Sequence, residues 1–388
     1  MNVEMTAEPI PVTLLTGFLG SGKTTVLNHL VQQPELADAL VIINEFGEMP
    51  LDHMLVAHST ENLVMEMSSG CLCCTIRKDL VQTLRDIVWR FSRQGKRQFR
   101  RVVIETTGLA DPAPIVHTLM THPQVCNRYR LDGIVTTLDL ATGQHTLDHH
   151  PEAVRQAAIA DCLLLTKSDL VPAGMRESLW RRLDGINPAA ARWEARNGAI
   201  EAAKVLNLGL FSADGKSPDV GRWLREEAYA DGAGHGHGPG AHAGHIHARG
   251  NGDARRTAHA GHGHDGRDAH HDHHDVNRHD DHVRAFCFAV DDPIPEEVFA
   301  AWLEVLMGFV GSDILRVKGI LNIAGSDRPV AIHGVQHIFH PPVALPAWPG
   351  EDRRSRLVFI TRDVGREVIE ESFRAFSQAL PKAWEAAR

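Results

Sequence analysis

Gly17-Phe18-Leu19-Gly20-Ser21-Gly22-Lys23-Thr24-Thr25 joins an apolar run, Val12–Thr16, to a segment of helical periodicity, Lys23–Gln32. The stretch satisfies Gly-x4-Gly-Lys-Ser/Thr in the strand-then-helix context that gives the pattern its meaning. Gly17, Gly20 and Gly22 let successive backbone N–H groups turn inward around phosphates, and the start of the following helix adds a favourable dipole. Ser21 and Thr25 belong to the same cradle. Lys23 is expected at the β- and γ-phosphates, and the Thr24 hydroxyl on Mg²⁺.

Outward from this loop, short apolar runs alternate with amphipathic segments up to about Tyr229, the βαβ signature of a mostly parallel sheet. Strands are predicted over Val12–Thr16, Leu40–Asn44, Asn62–Met67, Val102–Glu105, Gly133–Leu138 and Cys162–Thr166. Helices are predicted over Lys23–Gln32, Ile76–Phe91, Pro112–Met120 and Ala173–Leu183. From Asp231 to His282 the texture changes to Gly, Ala, Asp and His, with 14 histidines, among them His235, His237, His262, His264, His270, His271, His273 and His274. So few apolar residues cannot offset the entropy of ordering, so this is expected to be a disordered, metal-binding linker. Beyond it come a strand over Arg284–Val290, a helix over Pro295–Phe309, strands over Leu315–Ile323, Val330–Gly334 and Ser355–Thr361, and a closing helix over Gly365–Ala379. The expected fold is therefore α/β: a P-loop NTPase domain over 1–230, the linker over 231–282 and a small α+β domain over 283–388.

Composition sets bounds. The chain has 388 residues, enough for two cores. A net charge of −9 without a basic stripe argues against nucleic acid. Neither a secretory h-region nor an apolar run long enough to span a bilayer is present. Six cysteines, three of them clustered, fit a reduced compartment, and the cytoplasm is the expected location.

Three further motifs carry chemistry. Val102-Val103-Ile104-Glu105-Thr106-Thr107-Gly108 ends an apolar strand on an acid, where nucleotide hydrolases keep a Mg²⁺-linked carboxylate and a γ-phosphate-sensing N–H; Glu105 and Gly108 take those roles. Asp111 is expected to cap the helix that follows. Thr166-Lys167-Ser168-Asp169 varies the Asn-Lys-x-Asp guanine box, in which a carboxylate accepts from guanine N1–H and N2–H₂ together. Asp169 could otherwise serve as an N-cap, and Thr166 in place of Asn is expected to lose an amide that braces the phosphate loop. Asn44-Glu45-Phe46-Gly47-Glu48 occupies the usual place of a switch loop; either Glu45 or Glu48 could position water, touch Mg²⁺ or complete a thiolate site.

Cys71, Cys73 and Cys74 offer three thiolates for Zn²⁺ with a fourth position open, and adjacent thiols also admit redox chemistry or burial. Cys126, Cys162 and Cys287 read as buried hydrophobes. His53, His58, His117 and His122 read as surface or helix-edge residues.

The four motifs in this order, Gly-Phe-Leu-Gly-Ser-Gly-Lys-Thr-Thr, Asn-Glu-Phe-Gly-Glu, Ser-Gly-Cys-Leu-Cys-Cys and Glu-Thr-Thr-Gly-Leu-Ala-Asp-Pro, resemble the CobW-type metallochaperone GTPases. The likeness extends to the stretch around Leu315-Arg316-Val317-Lys318-Gly319. It implies that Cys71, Cys73 and Cys74 carry Zn²⁺ and that GTP hydrolysis, with Mg²⁺, gates delivery to client metalloproteins. It also leaves open cobalt, nickel or iron as the delivered metal, a metal buffer with little nucleotide turnover, and a nucleotide-dependent homodimer. Met49-Pro50, after the switch motif, departs from the family pattern. No arginine finger is evident in cis, so intrinsic turnover is expected to be slow.

Overall fold

In the computed structural model, residues 8–43, 63–66, 74–208 and 282–386 are described. The Asn44–Glu48 motif with Glu45, Met49-Pro50, His53, His58, Cys71, Cys73 and His-rich positions 235–279 lie outside these residues.

The strands of the first half are β1 (Ile10–Gly17), β2 (Ala39–Ile43), β3 (Leu63–Glu66), the small hairpin β4 (Ser92–Arg93) and β5 (Lys96–Arg97), β6 (Arg101–Glu105), β7 (Tyr129–Asp139), β8 (Cys162–Thr166) and β9 (Ala191–Ala195). Seven of them form one sheet in the order β3-β2-β6-β1-β7-β8-β9. Every pairing in it is parallel. The helices are α1 (Lys23–Leu30), α2 (Cys74–Arg90), α3 (Ala113–Thr121), α4 (Pro123–Cys126), α5 (Gly143–His149), α6 (Pro151–Ala158) and α7 (Ala173–Ile186).

Near-continuous apolar strands are what a parallel sheet covered on both faces requires. Alternate side chains sort cleanly between two cores. Leu14, Leu40, Ile42, Ile104, Ile134, Leu163 and Leu165 face one side with Leu80, Leu84, Val116 and Leu119. Leu15, Val41, Ile43, Val103, Val135, Cys162 and Leu164 face the other with Val26, Leu27 and Leu30 of α1.

The second sheet comprises β10 (Val283–Val290), β11 (Ile314–Leu321), β12 (Val330–Val335), β13 (Ile338–Phe339), β14 (Val343–Ala344) and β15 (Ser355–Arg362). It is antiparallel, in the order β10-β15-β11-β12-β13 with β14 on β12. One face packs on α8 (Glu296–Val310) and α9 (Arg366–Ala386) around Phe288, Trp302, Phe359 and Phe373. The fully buried Trp302 indole donates to Ser372 Oγ at 3.0 Å.

The other face meets the first domain. A register shift between Ile314 and Arg316 makes Leu315 a bulge residue, so Leu315 and Arg316 both turn away from the Trp302 core. Leu315, Val335 and Ile360 join the first domain's core, while Arg316 and Lys318 pair with the buried Asp161. Asp161 Oδ2 also accepts from Ile134 N at 2.9 Å. Burial alone would raise the Asp161 carboxyl, but the Arg316 and Lys318 cations overrule it and hold it well below the usual carboxylate range. Burial lowers His333, and the same two cations push it further the same way, so its imidazole is neutral.

Candidate functional site

Each nucleotide motif sits at the carboxyl end of a parallel strand, where open α/β sheets bind ligands. β1 runs into the phosphate loop, with Gly17 at φ 143°, Gly20 at φ 70° and Gly22 at φ 91°. At Gly17 a Cβ would lie 2.2 Å from Thr137 Oγ1, so only glycine fits. α1 starts at Lys23 with no side-chain cap, which leaves its first N–H groups facing the loop. Lys23 is buried and its Nζ donates to the carbonyls of Gly17 at 3.1 Å and Phe18 at 3.3 Å. The ammonium is thus folded over the loop it is expected to serve.

Beneath the loop lies a buried hydroxyl network. Thr166 Oγ1 donates to Ser21 O at 2.7 Å. Ser21 Oγ and Thr137 Oγ1 share a hydrogen bond at 2.6 Å, and Thr106 Oγ1 donates to Thr16 Oγ1 at 2.8 Å. The amide of the guanine-box Asn is absent, as expected from Thr166, but the threonine hydroxyl supplies a brace of its own. The hydroxyl is shorter than an amide, but the Gly22 backbone packs against it (a Cβ there would stand 3.5 Å from Thr166 Cγ2), so the contact survives.

From β6, Glu105 reaches α1: Thr24 Oγ1 donates to Glu105 Oε1 at 2.9 Å, and Glu105 is 2% exposed. Two oxygens from different motifs so placed fit one octahedral hard cation, the donor chemistry that Mg²⁺ selects. Gly108 presses its backbone on the phosphate loop; a Cβ there would lie 2.6 Å from Leu19 N. Gln156 fixes this turn, donating from Nε2 to Gly108 O at 3.2 Å and Ala110 O at 3.0 Å. Asp111 Oδ1 accepts from Ala113 N at 2.9 Å, the expected cap of α3.

At the end of β8, Lys167 adopts φ 55° and its Nζ is held by Asp139 Oδ2 at 2.6 Å. Asp169 is exposed, and α7 has Pro172 at its N-cap with no side-chain hydrogen bond, so capping is not what Asp169 does there. Thr25 is exposed; its carbonyl lies against Gly198, where a Cβ would approach within 2.6 Å. Gly198, at φ 79° after Asn197, stands just beyond β9. Sequence reasoning missed β9 and with it this contact, although Asn-Gly is a turn signal. Gln156 carried no such signal.

One histidine expectation changes, and another holds at a helix edge. His117 is 5% exposed rather than on a helix edge, and its Nε2–H donates to Val335 O of β12 at 2.9 Å. His122 caps α4, its Nδ1 accepting from Gln124 N at 3.3 Å. Cys162 and Cys287 are buried as expected, whereas Cys126 is only partly so. Of the thiolate cluster, Cys74 opens α2. Among the described residues no group of three or more His, Cys, Asp or Glu side chains could hold a metal ion, and no helix is long and apolar enough to cross a membrane.

The CobW/HypB/UreG nucleotide-binding domain model matches residues 11–193, and the cobalamin synthesis protein CobW C-terminal domain model matches residues 283–377. The chain belongs to the CobW family. It is 30% identical over 374 residues to the zinc chaperone YjiA of Escherichia coli, covering 96% of this chain and 99% of that protein. Against the zinc chaperone CobW of Pseudomonas aeruginosa the identity is 29%, over 95% and 92% of the two chains. The crystal structure of Zn(II)-bound YjiA GTPase from E. coli superposes with a TM-score of 0.64 at 27% identity, covering 95% of this chain and 99% of that one.

Proposed function

We propose that this CobW-family chain is a GTP-hydrolysing zinc metallochaperone, which holds Zn²⁺ at Cys71, Cys73 and Cys74 and passes it to client metalloproteins in a nucleotide-gated process. The observation that carries the nucleotide half is the Thr24–Glu105 contact at 2.9 Å beside the phosphate loop and its folded-over Lys23. Support for the metal half comes from the thiolate run and from relatives named as zinc chaperones.

Mg²⁺, when bound, neutralises charge developing on the β- and γ-phosphate oxygens. Thr24 and Glu105 would hold it. Lys23 swings from the Gly17 and Phe18 carbonyls to the phosphates, exchanging two neutral acceptors for anionic ones, which form stronger hydrogen bonds. The Gly108 N–H senses the γ-phosphate, and exposed Asp169 accepts from the guanine edge. Glu45 takes the water-positioning role, and its loop tightens with the triphosphate, altering exposure of the thiolates. A three-thiolate site keeps one position open, which permits exchange where a closed site would retain the metal. The His-rich segment of 231–282 raises metal concentration beside it by tethering. The nucleotide unit spans 1–230 and the C-terminal unit 283–388.

The test is zinc affinity of the full chain in nucleotide-free, GDP and GTP-analogue forms, with a Cys71/Cys73/Cys74→Ser triple variant subtracting the histidine background. A thiolate-dependent affinity that differs at least about tenfold between states, about 1.4 kcal/mol of coupling, is expected. Equal affinity in all three states removes the gating.

A further inference from the structure

α5 presents two imidazoles that the nucleotide chemistry leaves unused. His145 and His149 are exposed, one helical turn apart, with ring centroids 4.0 Å apart and planes at 19°. Residues at i and i+4 share a helix face, and two histidines so spaced are the smallest chelate a helix can offer a borderline divalent cation. The backbone carbonyl of His145 accepts from His149 Nδ1 at 2.8 Å. A carbonyl cannot donate, so the proton is on Nδ1 and the Nε2 lone pair is left outward, the tautomer that metal-bound histidines show when a backbone oxygen orients them. His149 is also the last residue of α5, where the carbonyl end of the helix favours a cation. The adjoining carboxylate, Asp148, is already engaged by Arg182 Nη2 at 2.7 Å and adds charge without being a ligand.

We propose that His145 and His149 form a second divalent-metal site, a two-imidazole clamp for Zn²⁺ completed by water, separate from the thiolate cluster and independent of nucleotide hydrolysis. The next residue, His150, stacks on Phe18 of the phosphate loop with centroids 4.3 Å apart, so the clamp ends one residue from the loop. Stacked rings hold their in-plane lone pairs nearly parallel, so the two imidazoles turn out of the stack to share one ion.

The test uses the full chain at buffered free Zn²⁺, so that other histidines do not deplete the metal. Diethylpyrocarbonate modifies imidazole nitrogens, and mass spectrometry of the fragments reports each histidine separately. His145 and His149 are expected to lose reactivity together, at zinc levels where a lone imidazole such as His29 still reacts. In His145→Ala, which retains the backbone carbonyl and favours the helix, protection of His149 should need on the order of a hundredfold more zinc, because the chelate's effective concentration is gone. His149→Ala should do the same to His145. Protection of His149 at unchanged zinc in the His145→Ala protein, or no protection of either ring ahead of His29, overturns the proposal.

Discussion

The two sheets place their working polar groups differently. In the parallel sheet these groups stand at or beyond strand ends: Gly17 closes β1, Glu105 closes β6 and Thr166 closes β8. In the antiparallel sheet Arg316, Lys318 and His333 stand within strands, on the face pressed against the first domain. A strand end leads into a loop that can move around a ligand. A strand face cannot move without its sheet. The difference teaches that the first sheet is arranged for exchange, whereas the second holds its charges fixed in an apolar seam.

The most damaging way to break this contrast is at the seam. Asp161→Ala leaves two buried cations without their anion, and removing one partner of such a set typically costs about 3–5 kcal/mol. Denaturant unfolding should show that loss, whereas a surface-sized effect would mean that the seam is wet. Lys23→Met should come next, lowering GTP turnover roughly 10²–10³-fold with unfolding unchanged, because a positioned charge at the phosphates is worth about 3–4 kcal/mol in the transition state. Retained turnover would take Lys23 out of the site.

His333 sharpens the contrast through pH. Its folded-state value is depressed, so the unfolded chain takes up a proton first, near the ordinary value of about 6.5. Stability should therefore fall as pH drops below about 6.5, with a slope approaching about 1.4 kcal/mol per pH unit, and His333→Gln should flatten that slope. Asp161 has the same sign at lower pH. Its depressed carboxyl contributes fully above about 3.9 and loses that contribution as pH falls toward its folded value. The smallest effect belongs to the loop brace. Thr166→Val should weaken nucleotide binding about fivefold, near 1 kcal/mol for one neutral hydrogen bond, and Thr166→Ser should restore it. Nucleotide titrations of the two variants distinguish a brace from simple packing.

Much of the fold was legible because parallel strands buried on both faces read as unbroken apolar runs, as in Leu40-Val41-Ile42-Ile43. β9 was not, because Ala191-Arg192-Trp193-Glu194-Ala195 lies at the sheet edge with its middle residues partly or fully exposed. α5 and α6 escaped because they are short, 7 and 8 residues, and a helical period repeats only about twice in that length. The loop motifs announced themselves through glycine and lysine at fixed offsets. What holds them in place did not. Thr166 and Ser21 are 145 positions apart, and His117 meets Val335 across 218. Pairings at that range depend on how the sheets stack, which local patterns do not encode.

One consequence concerns α3. It begins at Ala113, shortly after Gly108, and the second sheet grips it twice, through His117 on Val335 O and through Gln336 Nε2 on Asp111 Oδ2 at 3.5 Å. The helix that starts shortly after Gly108 is therefore also a spoke of the neighbouring domain. A shift of the Gly108 turn large enough to slide that helix must either stretch the grip or tilt what it is fastened to, which ties the far half of the molecule to whatever moves that turn.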